Sequence, residues 1–103
     1  MPTFIAKNTI SPRFREAHFN SLKENGKLPE DMAAHADAHL KYQRDLKVKG
    51  KILFGGPMVD FTWGILAIRA DTIEEAREIA KGDPGFKTGL LIACEVIPWY
   101  HMV

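Results

Sequence analysis

Hydrophobic and polar positions change period several times along this chain, and each change marks an element. Residues 3–10, Thr-Phe-Ile-Ala-Lys-Asn-Thr-Ile, are rich in β-branched and aromatic types and predict a first strand. Ser11-Pro12 closes it. Residues 13–30 are charged and polar, with turn signals at Asn25-Gly26 and Leu28-Pro29. They predict a connecting loop that holds at most a short helix around Phe14–Lys23.

A helical period follows over residues 31–49. At 100° per residue, Met32, His35, Ala36, His39, Gln43 and Leu46 share one stripe, while Asp37, Lys41, Arg44 and Val48 point away. Acidic Glu30 and Asp31 suit the positive end of the helix dipole, and Gly50 stops the helix. Two histidines on the inner stripe are unusual.

Ile52-Leu53-Phe54 predicts a short strand that leaves through Gly55-Gly56-Pro57. Asp60 lies in the turn before a second strand, Thr62–Ile68. Both alternating sets of that strand are apolar, as expected when both of its faces are covered. Thr72-Ile73-Glu74-Glu75 is a capping box opening a helix with Ile73, Ala76, Ile79 and Ala80 inward. Gly82 is expected to end it with a positive φ, and Asp83-Pro84-Gly85 to form a turn. Gly89–Ile97 predicts the last strand. Leu90, Ile92, Cys94 and Val96 fall on one face, Leu91, Ala93 and Ile97 on the other, and Pro98 ends or kinks it.

The order is β-α-β-β-α-β, an α+β arrangement of the ferredoxin-like split type with an antiparallel sheet. Two helices cover one face of four strands. The other apolar face calls for a partner sheet, so a homodimer joined through its sheet faces is expected.

Composition agrees with this layout and excludes several functions. At 103 residues, 46% of them apolar, the chain fits a single domain spanning 1–103. A net charge of +1, from 14 basic and 13 acidic residues, gives no phosphate-tracking surface for nucleic acid. No apolar run reaches the roughly 18–20 residues needed to cross a bilayer. Met1-Pro2-Thr3-Phe4-Ile5 has neither the basic flank nor the apolar core of a signal peptide. The single cysteine, Cys94, suits a reducing compartment, so a soluble cytoplasmic protein is expected.

The chemistry concentrates on His39 and Asp83. An imidazole on the inner face of a helix can move protons near neutral pH, or can serve simply as a satisfied core or dimer-seam residue. A carboxylate in a turn can orient that imidazole, or can bond only its local amides. His35 and His39, one turn apart, have a metal-ligand spacing. Asp37 lies on the opposite side of the helix, so a third ligand would have to be His18, His101 or Asp83. Alternatively, His35 lines the same pocket as His39.

Gly55-Gly56-Pro57 lets a ligand approach the backbone closely, or is a compact strand exit; it lacks a phosphate-loop lysine. Trp63, Trp99 and Tyr100 are candidates to wall an apolar pocket, or else core and dimer contacts. Cys94 has no basic neighbour in sequence and reads as buried filler rather than a nucleophile.

Taken together, several segments resemble one family. These are Ala38-His39-Leu40, Leu46, Gly50-Lys51-Ile52-Leu53, Gly55-Gly56-Pro57-Met58, Glu75-Ala76, Asp83-Pro84, Gly89-Leu90 and Glu95-Val96-Ile97-Pro98-Trp99. In order and spacing they are similar to the YCII-related (YciI-like) proteins over roughly residues 31–99 plus the first strand. The resemblance implies a dimeric α+β barrel and a His–Asp pair in a pocket, which falls here on His39 and Asp83. His35 has no counterpart in that pattern. Most members have no assigned reaction, and the catalytic example is a dehydrochlorinase acting on a chlorinated hydroquinone. Two departures stand out. Residues 11–30 form a longer link, expected to cap or narrow the pocket, and Gly85 intervenes between Asp83-Pro84 and Phe86.

The expected function is acid–base chemistry (elimination, isomerisation or hydrolysis) by His39 and Asp83 on a small aromatic or cyclic metabolite. His35, Gly56, Trp63 and Trp99 are expected to contact that substrate. No motif calls for a metal or cofactor. The alternatives are a non-catalytic ligand-binding or accessory domain of the same fold and, on the His35–His39 spacing, a metal-dependent enzyme.

Overall fold

The computed structural model describes residues 2–103. Strand β1 (Thr3–Ile10) leads into helix α1 (Pro12–Lys23) and then α2 (Glu30–Val48). β2 (Ile52–Pro57) and β3 (Trp63–Arg69) form a hairpin, followed by α3 (Ile73–Lys81), the short α4 (Gly85–Thr88) and β4 (Leu91–Trp99). The sheet is fully antiparallel in the order β2-β3-β1-β4. The split β-α-β pattern predicted this crossing of connections.

Alternation along β1 sets the two faces. Phe4, Ala6, Asn8 and Ile10 are buried, while Thr3, Ile5, Lys7 and Thr9 are partly open. Phe4 and Ala6 join Ile52, Leu66, Ile68, Ala70, Ala76 and Ala80 in one core beneath α2 and α3, with Leu46 and Ile79 packed on it. The small Ala76 and Ala80 let α3 sit close to the sheet. A second cluster, Ile10, Phe14, Met32, Leu90 and Leu91, binds α1 and the start of α2 to the other end of the sheet. Across the opposite face the register aligns Phe54, Ala67, Ile5 and Ile97.

Several local readings need correction. Residues 12–23 are a full helix, because Ser11 caps it by accepting from the Phe14 amide and Pro12 occupies the first turn, where a missing N–H costs nothing. Gly55-Gly56-Pro57 does not leave the sheet: these residues pair with Leu66, Ile65 and Gly64. Gly82 ends α3 at φ −71°, and the left-handed cap is Gly89 (φ 80°) after α4. Gly82 is small for a different reason: a Cβ there would collide with the Tyr42 hydroxyl.

A register shift between Thr9 and Ile10 skips Ile92 and pairs Ile10 with Leu91. Leu91 therefore joins Cys94 and Val96 on the helix side, rather than Ala93 and Ile97. Pro98 stays inside β4, opposite Phe4; β4 is an edge strand, where a missing N–H need not break a ladder.

Candidate functional site

Asp83 is 1% exposed although it is charged and follows a helix end. A buried carboxylate needs partners, and three groups converge on it. His39 Nδ1 lies 2.6 Å from Oδ2, Gln43 Nε2 donates to Oδ2 at 3.3 Å, and the Gly85 amide donates to Oδ1 at 2.8 Å. His39 and Gln43 are one turn apart on α2, so a single helical face delivers both. The glycine between Asp83-Pro84 and Phe86 thus supplies an amide that grips the carboxylate. A Cβ on Gly85 would press on Leu91 and on Asp83 itself at 3.1–3.2 Å.

Tyr42, also on α2, fastens the same junction by donating its hydroxyl to the Ile79 carbonyl at 2.8 Å. Burial pushes the Tyr42 phenol above its ordinary 10.0, and the nearby negative charge of Asp83 pushes it the same way. It stays a neutral donor. His39 and Gln43 dock α2 onto the loop after α3, and Tyr42 docks it onto the last turn of α3.

An ionised Asp83 only accepts hydrogen bonds, so Nδ1 of His39 carries the proton of their bond. Nε2 is then the ring nitrogen left for a bound molecule. His39 lines a cavity of about 360 Å³ between α1, α2 and one end of the sheet. Most of the wall is apolar: Ile10 and Leu66 from the strands, Phe14 from α1, Ala36 and Leu40 from α2, with Phe61, Leu90 and Leu91 beyond. Polar groups are few, namely His39, Gln43, Asn8 and His18. A mostly apolar hollow with a small set of polar groups is the usual form of a small-molecule site.

The floor is low because Gly55 and Gly64, both on the helix side of the sheet, bring no side chains there. Gly55, Gly56 and Gly64 all line the cavity. A Cβ on Gly55 would lie 2.6 Å from the Ile65 carbonyl oxygen and from Leu66 Cδ2. Phe61 closes one side with a backbone few bulky residues adopt, φ 58°. Its ring stacks on His18 of α1 with centroids 3.7 Å apart. Asp60 braces the turn by accepting from the Thr62 amide and hydroxyl, and Arg15 of α1 donates to the Asp60 carbonyl.

Of the residues singled out in sequence, His39 and Gly56 therefore line the cavity, and Asp83 bonds His39 without lining it. His35 does not line the cavity. Trp63 lies opposite Thr9 on the helix-free face, with Lys7 Nζ 4.5 Å from its ring centroid. Trp99 and Tyr100 line a separate hollow at the far end of the sheet with Arg69 and His101. Cys94 packs against the core, and burial raises its thiol against a smaller opposing pull from Lys81. Among the described residues no group of three His, Cys, Asp or Glu side chains is placed to hold a metal ion.

Sequence reasoning missed Asn8, Phe14, Gln43 and Phe61 as site residues and considered His18 only as a metal ligand. Gln43 carried a signal, four positions after His39 on the same stripe. The others arrive through the register of β1, through α1 and, for Phe61, through the turn before β3.

Fold and site thus define a small α+β protein that suspends a buried His–Asp pair over an apolar cavity. The profile of the YCII-related domain matches residues 14–100, and the chain belongs to that family. It is 34% identical over 55 residues to the uncharacterized protein YjpA of Bacillus subtilis, an alignment spanning 53% of this chain and 65% of that relative. Among solved structures it is similar to 5-chloro-2-hydroxyhydroquinone dehydrochlorinase (TftG) from Burkholderia phenoliruptrix, in complex with 2,5-dihydroxybenzoquinone. The two superpose with a TM-score of 0.63 at 25% identity, covering 97% of this chain and 95% of that one.

Proposed function

We propose that the protein is a small acid–base enzyme acting on a compact aromatic or cyclic metabolite, with His39 as the proton-transfer residue and Asp83 as its orienting partner. The observation that carries this reading is the 2.6 Å His39–Asp83 contact at the wall of an apolar cavity. Nε2 of His39 takes a proton from a hydroxyl group of the bound ring. The electron pair left behind forms the new double bond, and in an elimination the leaving group departs with its own bonding pair. The imidazolium produced is held by the Asp83 carboxylate, which stays ionised. In an isomerisation the same proton returns at another atom.

The similarity to a dehydrochlorinase solved with a dihydroxybenzoquinone supports a ring-shaped substrate and makes elimination the first reaction to try. Residues 11–30 act as the cap in this reading, since α1 supplies Phe14 and His18 to the wall. His35, Trp63 and Trp99 drop out as direct substrate contacts. Assay against hydroxylated and halogenated rings, beginning with 5-chloro-2-hydroxyhydroquinone, tests it. Turnover that falls about 10²–10⁴-fold in His39→Ala is expected. Full turnover in that variant would refute the role.

The reading also includes a homodimer through the helix-free sheet face, supported by Phe54 and Ile97 lying open beside Ile5 and Ala67. A cytoplasmic setting fits the one unpaired cysteine. No described helix is long and apolar enough to cross a membrane. Sedimentation of the wild type as a dimer, and of Ile97→Lys as a monomer, is the expected outcome. A wild type that sediments as a monomer at micromolar concentration would remove the dimer from the account.

A further inference from the structure

Asn8 sits in the middle of β1, on the helix side, and is 3% exposed. Its neighbours across the sheet are Gly64 and Cys94. Gly64 offers no side chain, and Cys94 is a weak partner at best. Asn8 Oδ1 has no hydrogen-bond partner among the described residues, and it is the one buried side-chain polar atom there in that condition. Asn8 also lines the cavity that His39 lines. Exchanging the oxygen and nitrogen of the amide would leave a buried donor unpaired instead of an acceptor. Since Asn8 lines the cavity, its carboxamide is the polar group that the β1 part of the wall contributes.

We propose that Asn8 is the second polar anchor of the site and selects ring compounds carrying a hydroxyl group away from the one that meets His39. A hydroxyl both donates and accepts, so it satisfies the carboxamide whichever atom faces it. An alkyl or halogen substituent at that point leaves the buried amide unpaired. A site built to hydrogen-bond a group rejects the analogue lacking it far more strongly than an apolar wall rejects extra size. This inference rests on the acid–base reading for its ligand class, but its test separates the two.

The test measures binding of catechol, resorcinol and hydroquinone against the corresponding methylphenols, by NMR under reducing conditions. Wild type, Asn8→Leu and His39→Ala are compared. At least one dihydroxybenzene is expected to bind the wild type roughly tenfold more tightly than its methylphenol. Asn8→Leu abolishes or inverts that preference while keeping methylphenol affinity; His39→Ala weakens both ligands and keeps the preference. An unchanged preference in Asn8→Leu overturns the role of Asn8 and leaves the His–Asp reading standing. Equal loss of diol and methylphenol binding in Asn8→Leu also overturns it, because it reduces Asn8 to a structural residue. No binding of any ring by the wild type overturns both. Should Asn8→Leu not fold, Asn8→Ser, too short to span the same distance, carries the same comparison.

Discussion

His39 Nδ1 and Asp83 Oδ2 stand 2.6 Å apart although 44 positions separate them in sequence. One belongs to α2 and the other to the loop after α3, so neither helix can shift without breaking the contact. The pair joins packing to chemistry: the bond that holds the loop also fixes which imidazole nitrogen faces a ligand.

Removing the acid should cost stability as well as orientation. Asp83→Ala strands the Gly85 amide and the His39 Nδ1–H in a buried place. A loss of about 3 kcal/mol is expected by urea denaturation, as for other broken buried pairs. Asp83→Asn keeps the shape and should lose less.

Gly82 and Tyr42 should be coupled. Gly82→Ala drives a methyl into the Tyr42 hydroxyl, and Tyr42→Phe alone removes the bond to Ile79, worth about 1 kcal/mol. The double variant Gly82→Ala/Tyr42→Phe should be more stable than the sum of the single losses allows, because the phenyl ring no longer presents an oxygen. Additive losses would mean that the hydroxyl is not the obstacle.

The glycines of β2 should separate sharply. Gly55→Ala meets backbone at 2.6 Å, whereas a Cβ on Gly56 meets nothing within 4 Å. Thermal unfolding should show Gly55→Ala destabilised by about 1–3 kcal/mol and Gly56→Ala within about 0.5 kcal/mol of the wild type.

Glu75 should support the fold only above acid pH. The Asp71 amide and then Lys51 hold its carboxyl below the ordinary 4.5. A depressed folded-state value stabilises above the unfolded value and loses that contribution as pH falls through the folded one. The melting-temperature difference between wild type and Glu75→Gln should therefore be present at about pH 6 and fade as the pH falls below the ordinary 4.5 and then through the lowered folded-state value. A difference that persists in acid would point to packing instead of charge.

Periodicity and caps carried most of the fold. The stripe of α2, the capping box of α3 and the β-branched and aromatic residues of β1 each predicted its element, and Thr72 does accept from the Glu75 amide. What escaped depended on distant partners. Ser11-Pro12 reads equally well as a strand end or a helix start, and only the packing of Phe14 on Leu90 and Leu91 shows the helix start. The face of Leu91 is set by a skipped pairing at Ile92, which strict alternation cannot register. Within the site, His39 and Asp83 were visible as residues suited to a shared task. Asn8 was hidden, since an asparagine on a strand announces nothing until its missing partner is known.

The central claim is that Asp83 holds the His39 ring with Nδ1 protonated and Nε2 free to act as a base. Nitrogen-15 NMR of the His39 ring at neutral pH, in wild type and in Asp83→Asn, tests it most directly. The account predicts the Nδ1–H tautomer in the wild type and its loss in the variant. An Nε2–H ring in the wild type, or the same tautomer in both proteins, would contradict it.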